Sequence, residues 1–384
     1  MPKPSIPKPS PAPSAYPGGR RPLTWLTVVC FALFSIAGFY FMRIENSING
    51  VPVDFEKVVT SGQWADGTPI KQTYTGVEAI DFVFRWLVPA FIAGPAGYDQ
   101  GVRLQQIHFL VNFFAVVAIW NVEASRQRNR GSALSYTALW AVFYQTVAGA
   151  AIIPLYYLVY AVISRNDSYL SKGREVSRGQ ARALLPALVI GYLVPTTALY
   201  IPWGDSDITQ NLTALWQISP AIPNLLLLVF SPFQASERIP SNVPADVKYL
   251  KRIYLAIGII STLTQLATFY ISFTSDNPQL TLSYIFLPNK ATWKESTVLG
   301  LHYIFQWDFW IIYVSSLVWC YIVVVDAVRY VNGRFTLIEA ILSIFNLTLV
   351  SFIAGPGTTM ALVWNWRENW QLKIEQNHEK PKSK

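Results

Sequence analysis

The chain has 384 residues, of which 52% are hydrophobic and only 14% charged, with 14 Trp, 20 Tyr and 22 Phe. Soluble domains carry about 25% charged residues, and here the apolar residues run in long blocks, so the pattern excludes a soluble enzyme and predicts an all-α polytopic membrane bundle. The net charge of +8 lies mostly in loops and tails, which suits anionic lipid headgroups and no nucleic acid. Cys30 and Cys320 both sit in apolar runs, as small core residues rather than a disulfide framework or a metal site.

Residues 1–21 are rich in Pro and Ser and read as a disordered cytosolic tail. The apolar stretch that follows is long enough to span a bilayer and so is no cleaved signal peptide. The predicted spans are 23–42, 78–96, 104–124, 133–163, 183–202, 211–232, 252–273, 299–326 and 336–356, nine in a range of about eight to ten. Together residues 22–370 form the bundle, and 371–384 form a basic tail. Loop 43–77 is polar enough to fold outside the membrane. The spans beginning at 133 and 299 exceed membrane thickness and must tilt, protrude or break, with Pro154 as the break in the first.

With the N-terminus in the cytosol, loops 98–103, 164–182, 233–251 and 327–334 face inward with about a dozen Lys and Arg. Arg126, Arg128 and Arg130 then fall on the opposite side. Nine spans also place the terminal KPKSK in the lumen. Lys380 and Lys382 fit a dilysine-type retrieval signal of the endoplasmic reticulum, which is read in the cytosol and would need eight or ten spans.

The second span, EAIDFVFRWLVPAFIAGP (78–95), shares nine of its 18 residues with the last, EAILSIFNLTLVSFIAGP (339–356). Eighteen residues make a helix of about 27 Å, so Glu78 and Glu339 each lie near one membrane face and each FIAGP near the other. Gly-Pro ends a helix and leaves carbonyls free. An internal duplication and a merely compositional likeness both fit. Asp81 and Arg85 are four apart and can pair on one helix face, as a structural pair or a functional one.

Charged or polar side chains inside a span are costly, which makes each one informative. In the third span, Gln105, His108, Asn112 and Glu123 share one stripe about 60° wide. Such a seam lines a cavity or forms hydrogen bonds between helices. The eighth span carries a second stripe of His302, Gln306, Tyr313, Ser316 and Asp326. Asp308 points elsewhere, within the aromatic run FQWDFW (Phe305–Trp310). A carboxyl ringed by aromatics is poorly solvated, holds its proton near neutral pH and can act as a Brønsted acid. The competing reading is a membrane aromatic belt with one snorkelling acid.

There is no DDxxD or NDxxD motif to hold a magnesium diphosphate, no DxDD motif, no P-loop and no GxGxxG. Three histidines are too few for multi-His iron sites. No cofactor or metal is expected.

The stretch from Ile80 to Gly131 carries a more specific pattern: Ile80-Asp81, a Pro ahead of Asp99, a Gln and Asn helix (Gln105, Phe109, Leu110, Asn112), and Trp120-Asn-Val-Glu123-Ala-Ser-Arg126-Gln-Arg-Asn129. It resembles the fungal integral-membrane terpene cyclases of meroterpenoid pathways, the kind found in ascofuranone and macrophorin biosynthesis. At Asp99 the chain departs from that pattern, with Gln100 in place of a Gly. The resemblance implies a farnesylated aromatic or quinone substrate, often with a terminal epoxide. It also implies metal-free chemistry in which an acid protonates the epoxide or olefin and the prenyl chain closes through carbocations.

The catalytic candidates are Asp308, Glu123, Asp81 and Glu339, with Asp308 as the acid and Glu123, three residues from Arg126, as an orienting or terminating group. Expected to line the substrate pocket are Gln105, His108, Asn112, Arg126, Asp99, Trp120 and Trp307. The partners implied are a lipophilic prenylated substrate, membrane lipids and other enzymes of the same pathway. A transporter of a small hydrophobic metabolite and a sterol-isomerase-like membrane enzyme remain as alternatives.

Overall fold

The computed structural model describes residues 19–64, 66–233 and 244–379, with side chains to 373. Lys380, Lys382 and most of the Pro-rich tail lie outside the described residues. Among those described the fold is helical, with isolated bridges and no strand.

The principal helices are α1 (Thr24–Asn49), α2 (Phe55–Ser61), α3 (Glu78–Phe91), α4 (Gln100–Ser125), α5 (Thr137–Thr146), α6 (Gly149–Ile163), α7 (Arg178–Leu199), α8 (Ser206–Ile218), α9 (Ile222–Phe233), α10 (Val247–Thr274), α11 (Thr297–Asn332), α12 (Leu337–Ala354) and α13 (Pro356–Glu379). Six described helices are long and apolar enough to cross a membrane, α1, α4, α7, α10, α11 and α12. A seventh crossing comes from α8 and α9 if that pair, bent by 68°, is one span. The protein is therefore an integral membrane bundle, with fewer crossings than the nine expected.

Two expected spans account for the difference. Residues 78–96 form only the 14-residue α3, about 21 Å long, after which the chain turns back to α4. Residues 133–163 form two helices, α5 and α6, with the break at Val147 and Ala148 rather than at Pro154. Pro154 lies inside α6, where it cannot bond the carbonyl of Ala150 four residues back. That carbonyl instead abuts Gly38 of α1, where a Cβ would lie 2.1 Å away. The long eighth span does not break: α11 runs unbroken for 36 residues, about 54 Å, and protrudes.

One end of the bundle gathers the charges. Arg21 is buried against Asp326 near the end of α11, and it also donates to Ser164 and to the carbonyl of Ala161. Arg126, just past α4, pairs with Glu368 of α13 at 2.7 Å. Arg128 donates to the carbonyl of Tyr169, so the segment after α4 meets the segment after α6. The start of α1 and residue 368 of α13 thus share one end. The α5–α6 pair enters from that end and returns to it, so Arg126 and Arg128 lie beside 164–182 rather than opposite.

At the other end, loop 43–77 folds back as a cap. Val58, Trp64 and Ile70 pack with Phe84, Val88, Ile92, Ala214 and Leu301. Helix α4 runs through the centre with most of its residues buried, whereas α12 lies at the periphery with only Leu347 buried.

Candidate active site

Beneath the cap is a cavity of about 620 Å³, within the range of small-molecule sites. Helix α3 supplies Trp86 and Phe91, α4 supplies Phe109 and Phe113, α5 supplies Tyr144, α8 supplies Trp216, and α11 supplies Phe305 and Asp308. Among the described lining residues Asp308 is the one carboxylate and Arg43 the one cation. The rest of the wall is aromatic and aliphatic with a few amides and hydroxyls.

The local fold explains how a carboxyl comes to be held there. The backbone N–H of Ala150, in the first turn of α6, donates to Asp308 Oδ1 at 2.6 Å. The first N–H groups of a helix have no partner within it and carry the positive end of its dipole. Because α5 and α6 break inside the bundle, that positive end sits at the cavity wall instead of in water. Gly149 makes the approach possible: a Cβ there would lie 3.0 Å from Asp308 Oδ1 and 2.8 Å from Ile312 Cδ1. Arg43, in a π-helical turn of α1, donates to the carbonyls of Thr146 (3.0 Å) and Val147 (2.8 Å) where α5 ends. A carboxyl with one N–H donor on one oxygen, in an aromatic cavity, keeps its other oxygen available for a proton.

The polar seam of α4 faces the bundle interior but not this cavity. Gln105 donates to the carbonyl of Phe305 at 3.2 Å. His108 Nε2 meets Gln265 Oε1 at 2.7 Å. Asn112 Oδ1 accepts from Ser261 Oγ (2.5 Å) and Gly357 N (3.2 Å). These bonds fasten α4 to α10, α11 and the start of α13, so the seam is interhelical bonding rather than cavity lining. The second stripe also bonds between segments, and its His302 and Gln306 line a separate, smaller cavity of about 340 Å³. His302 and Gln306 reach the carbonyl of Tyr284, Tyr313 donates to the carbonyl of Phe109, and Ser316 meets Tyr157 at 2.7 Å.

Glu123 lies at the charged end, fully buried. It accepts from Arg126 Nε (2.7 Å), Arg367 Nη1 (2.8 Å), Trp364 Nε1 (3.0 Å) and Arg128 Nη2 (3.3 Å). Arg126 also pairs with Glu368, which accepts from Arg174 at 2.5 Å. This network closes the contact between α4 and α13, and neither Glu123 nor Arg126 lines the cavity.

The other candidates hold backbone. Asp81 does not pair with Arg85. It accepts from the backbone N–H of Tyr74, Thr75 and Gly76 at 2.8–3.0 Å, while Arg85 pairs with Glu78 at 2.7 Å. Asp99 is the N-cap of α4, accepting from Val102 N (2.9 Å), and it binds Gln279 and Tyr284 as well. Glu339 forms a capping box with Thr336 at the start of α12. Trp307 stacks on Phe41 at 3.9 Å, and Trp120 on Tyr156 at 3.7 Å, both away from the cavity lining.

Arg43, Tyr144, Trp216 and the Ala150 N–H were not read from the sequence. The available signal was the small-residue run Ala148–Ala151 ahead of Pro154, which marks a close backbone approach.

Comparison with known proteins agrees with the earlier resemblance. The terpene cyclase ascI of Acremonium egyptiacum is 27% identical over 354 residues, 88% of this chain and 91% of its own length. The terpene cyclase alnG of Emericella nidulans is 24% identical over 379 residues, 92% of this chain and 97% of its own. The FAD-dependent monooxygenase verC1 of Penicillium polonicum is 24% identical over 271 residues, 69% of this chain but 32% of its own length. No solved structure matches. The pattern of the CtvD domain covers residues 27–372, nearly all of the helical bundle, and the chain belongs to the CtvD domain family.

Proposed function

We propose that this protein is a membrane terpene cyclase that closes the prenyl chain of a meroterpenoid precursor, with Asp308 as the acid. The observation that carries this reading is the placement of Asp308: one carboxylate, set in the wall of an aromatic cavity, with a helix N-terminus behind it. The protonated carboxyl gives its proton to a terminal epoxide oxygen or olefin carbon of a farnesyl-type chain. The C–O bond opens or the double bond is consumed, and a carbocation forms. The next double bond supplies its electron pair, and the cation moves along the chain as each ring bond closes. Ring faces of Trp86, Phe109, Trp216 and Phe305 stabilise passing positive charge by about 0.5–2 kcal/mol each. The last cation loses a proton, and the Asp308 carboxylate left by the first step is the nearest anion in the wall to take it. The net reaction is an isomerisation.

As Asp308 loses its proton, the Ala150 N–H and the positive end of α6 stabilise the carboxylate that appears. That interaction grows toward the transition state, as useful catalytic contacts must. The match to a third of a protein named as a monooxygenase supports an oxygenated, epoxide-type substrate. Lys380 and Lys382 support the endoplasmic reticulum as the membrane, and a tagged full-length chain tests that by co-localisation.

The acid is tested by Asp308→Asn, assayed in membranes of a heterologous host supplied with the prenylated precursor. Cyclised product should vanish while the amount of protein in the membrane stays unchanged. Product at the wild-type rate would overturn the assignment.

A further inference from the structure

Three residues of α1 converge on one turn. Ser35 Oγ donates to the carbonyl of Ala151 at 2.6 Å. Gly38 presses against the carbonyl of Ala150, with no room for a Cβ. Arg43 holds the carbonyls of Thr146 and Val147. Together they grip residues 146–151, and the peptide in the middle of that grip carries the N–H that Asp308 accepts; Arg43 also lines the same cavity as Asp308.

We propose that α1 is the positioning element of the acid, and that Arg43 is its principal positioning residue, acting on Asp308 through the α5–α6 turn. The inference rests on the assignment of Asp308 as the acid.

The argument is geometric. The turn is made of small residues and has lost continuous helical bonding: Ala148 is extended, at φ 173° and ψ 138°. Within it Val147 N still bonds the Phe143 carbonyl and Ala151 N the Ala148 carbonyl, which leaves the carbonyls of Thr146 and Val147 to be filled. The carbonyls that end α5 lack partners along the chain, and the two-pronged guanidinium supplies them from outside. Arg is suited to this because its planar fork can donate to two neighbouring acceptors in a fixed relation, which a lysine ammonium does not reproduce. Arg43 is itself exposed beside the cavity mouth, so its burial contributes little to the core. Its cost as a long cationic residue at the end of an apolar helix is repaid by the turn it holds.

Holding the turn should affect chemistry more than substrate binding. The N–H to carboxyl bond matters most when the proton has left, whereas the largest shares of the wall that receives the prenyl chain belong to α3 and α11. A displacement of about 1 Å at such a group can cost up to a hundredfold in rate.

The experiment compares wild type, Arg43→Gln, Arg43→Lys, Gly38→Val and Asp308→Asn as full-length chains in membranes, with kcat and KM measured on the prenylated precursor and protein quantified in each preparation. Arg43→Gln is expected to lower kcat at least about tenfold with KM within about twofold. Arg43→Lys should recover part of kcat, since one donor of the right charge remains, and Gly38→Val should lower kcat in the same way. A KM effect with kcat intact would overturn the inference, because Arg43 would then be binding substrate. So would unchanged kinetics in Arg43→Gln, or a loss of activity that follows protein amount in all three α1 variants. If Asp308→Asn is inactive and Arg43→Gln is normal, only the role of α1 fails. If Asp308→Asn is active, the assignment beneath it fails instead.

Discussion

Asp308, half-buried in the cavity wall, and Glu123, fully buried, are carboxyls on long central helices, and their surroundings are opposite. Asp308 has one backbone N–H and a cavity before it. Glu123 has three guanidiniums and an indole N–H around it, and no cavity. A carboxyl with open space and one donor can exchange a proton with a ligand. A carboxylate saturated by cations cannot give up its charge without leaving them unpaired, so its work is to hold α4 and α13 together. Burial alone does not mark a catalytic group. What separates the two is how many of their hydrogen-bonding positions the protein already fills.

The most direct way to break this comparison is to remove each charge and measure both activity and stability. Glu123→Gln leaves Arg126 and Arg367 buried beside a neutral group, and breaking a buried pair costs about 3–5 kcal/mol. A large fall in the thermal denaturation midpoint in detergent is therefore expected, with activity lost in proportion to folded protein. Asp308→Asn should show the reverse, with product abolished and the midpoint nearly unchanged. If the stability loss falls on Asp308 instead, the two roles have been exchanged.

A smaller effect sharpens the Glu123 side. Adding Arg367→Met to Glu123→Gln removes one stranded charge, and contacting residues couple by about 0.5–3 kcal/mol. The double variant should melt above Glu123→Gln alone. Simple additivity of the two losses would remove Arg367 from the network.

Smaller again is the effect of one ring on the Asp308 side. Trp216→Ala or Phe305→Ala should slow cyclisation by about threefold to thirtyfold, the range of one cation–π contact, and should shift the mixture of products seen by mass spectrometry as partly closed chains escape. A matching change at Trp120, whose ring lies in the packed core, should leave the product pattern of the surviving enzyme unaltered. The smallest expected effect is none. Chelation of membranes with EDTA should leave turnover intact, because no Asp-rich diphosphate motif occurs in the chain. Loss restored by magnesium would place the reaction in another class.

Much of this was legible beforehand, for identifiable reasons. Asp308 stood out because a carboxyl within FQWDFW has few residues nearby to solvate it. The seam of α4 was visible because Gln105, His108 and Asn112 recur at helical spacing, which shows a shared face but not whether that face meets a cavity or another helix. Glu78–Pro95 and Glu339–Pro356 show the same limit: with half their residues in common, one is a short helix under the cap and the other a peripheral, largely exposed helix. In the second, Gly355 adopts φ 89° and Pro356 starts the next helix. In the first, the helix stops at Phe91, three residues before Gly94. The α5–α6 break was not legible because Pro154 is the stronger local signal, whereas the turn at 147–148 depends on contacts from α1, more than a hundred residues earlier. Arg43 escaped notice because it reads as an ordinary charged end to a span.

The cavity lies in the half of the bundle farthest from the end that holds the Arg21–Asp326 pair and the network around Glu368. A substrate made by an enzyme on that charged side does not reach Asp308 through water along the shortest line, since the packed network around Glu123 stands between. On the proposed reading a prenylated substrate would arrive through the hydrocarbon, in two dimensions. The quantity that governs the rate is then the mole fraction of substrate in the bilayer rather than its concentration in the tube. Adding inert lipid to a reconstituted sample, at fixed enzyme and fixed substrate, dilutes the reaction.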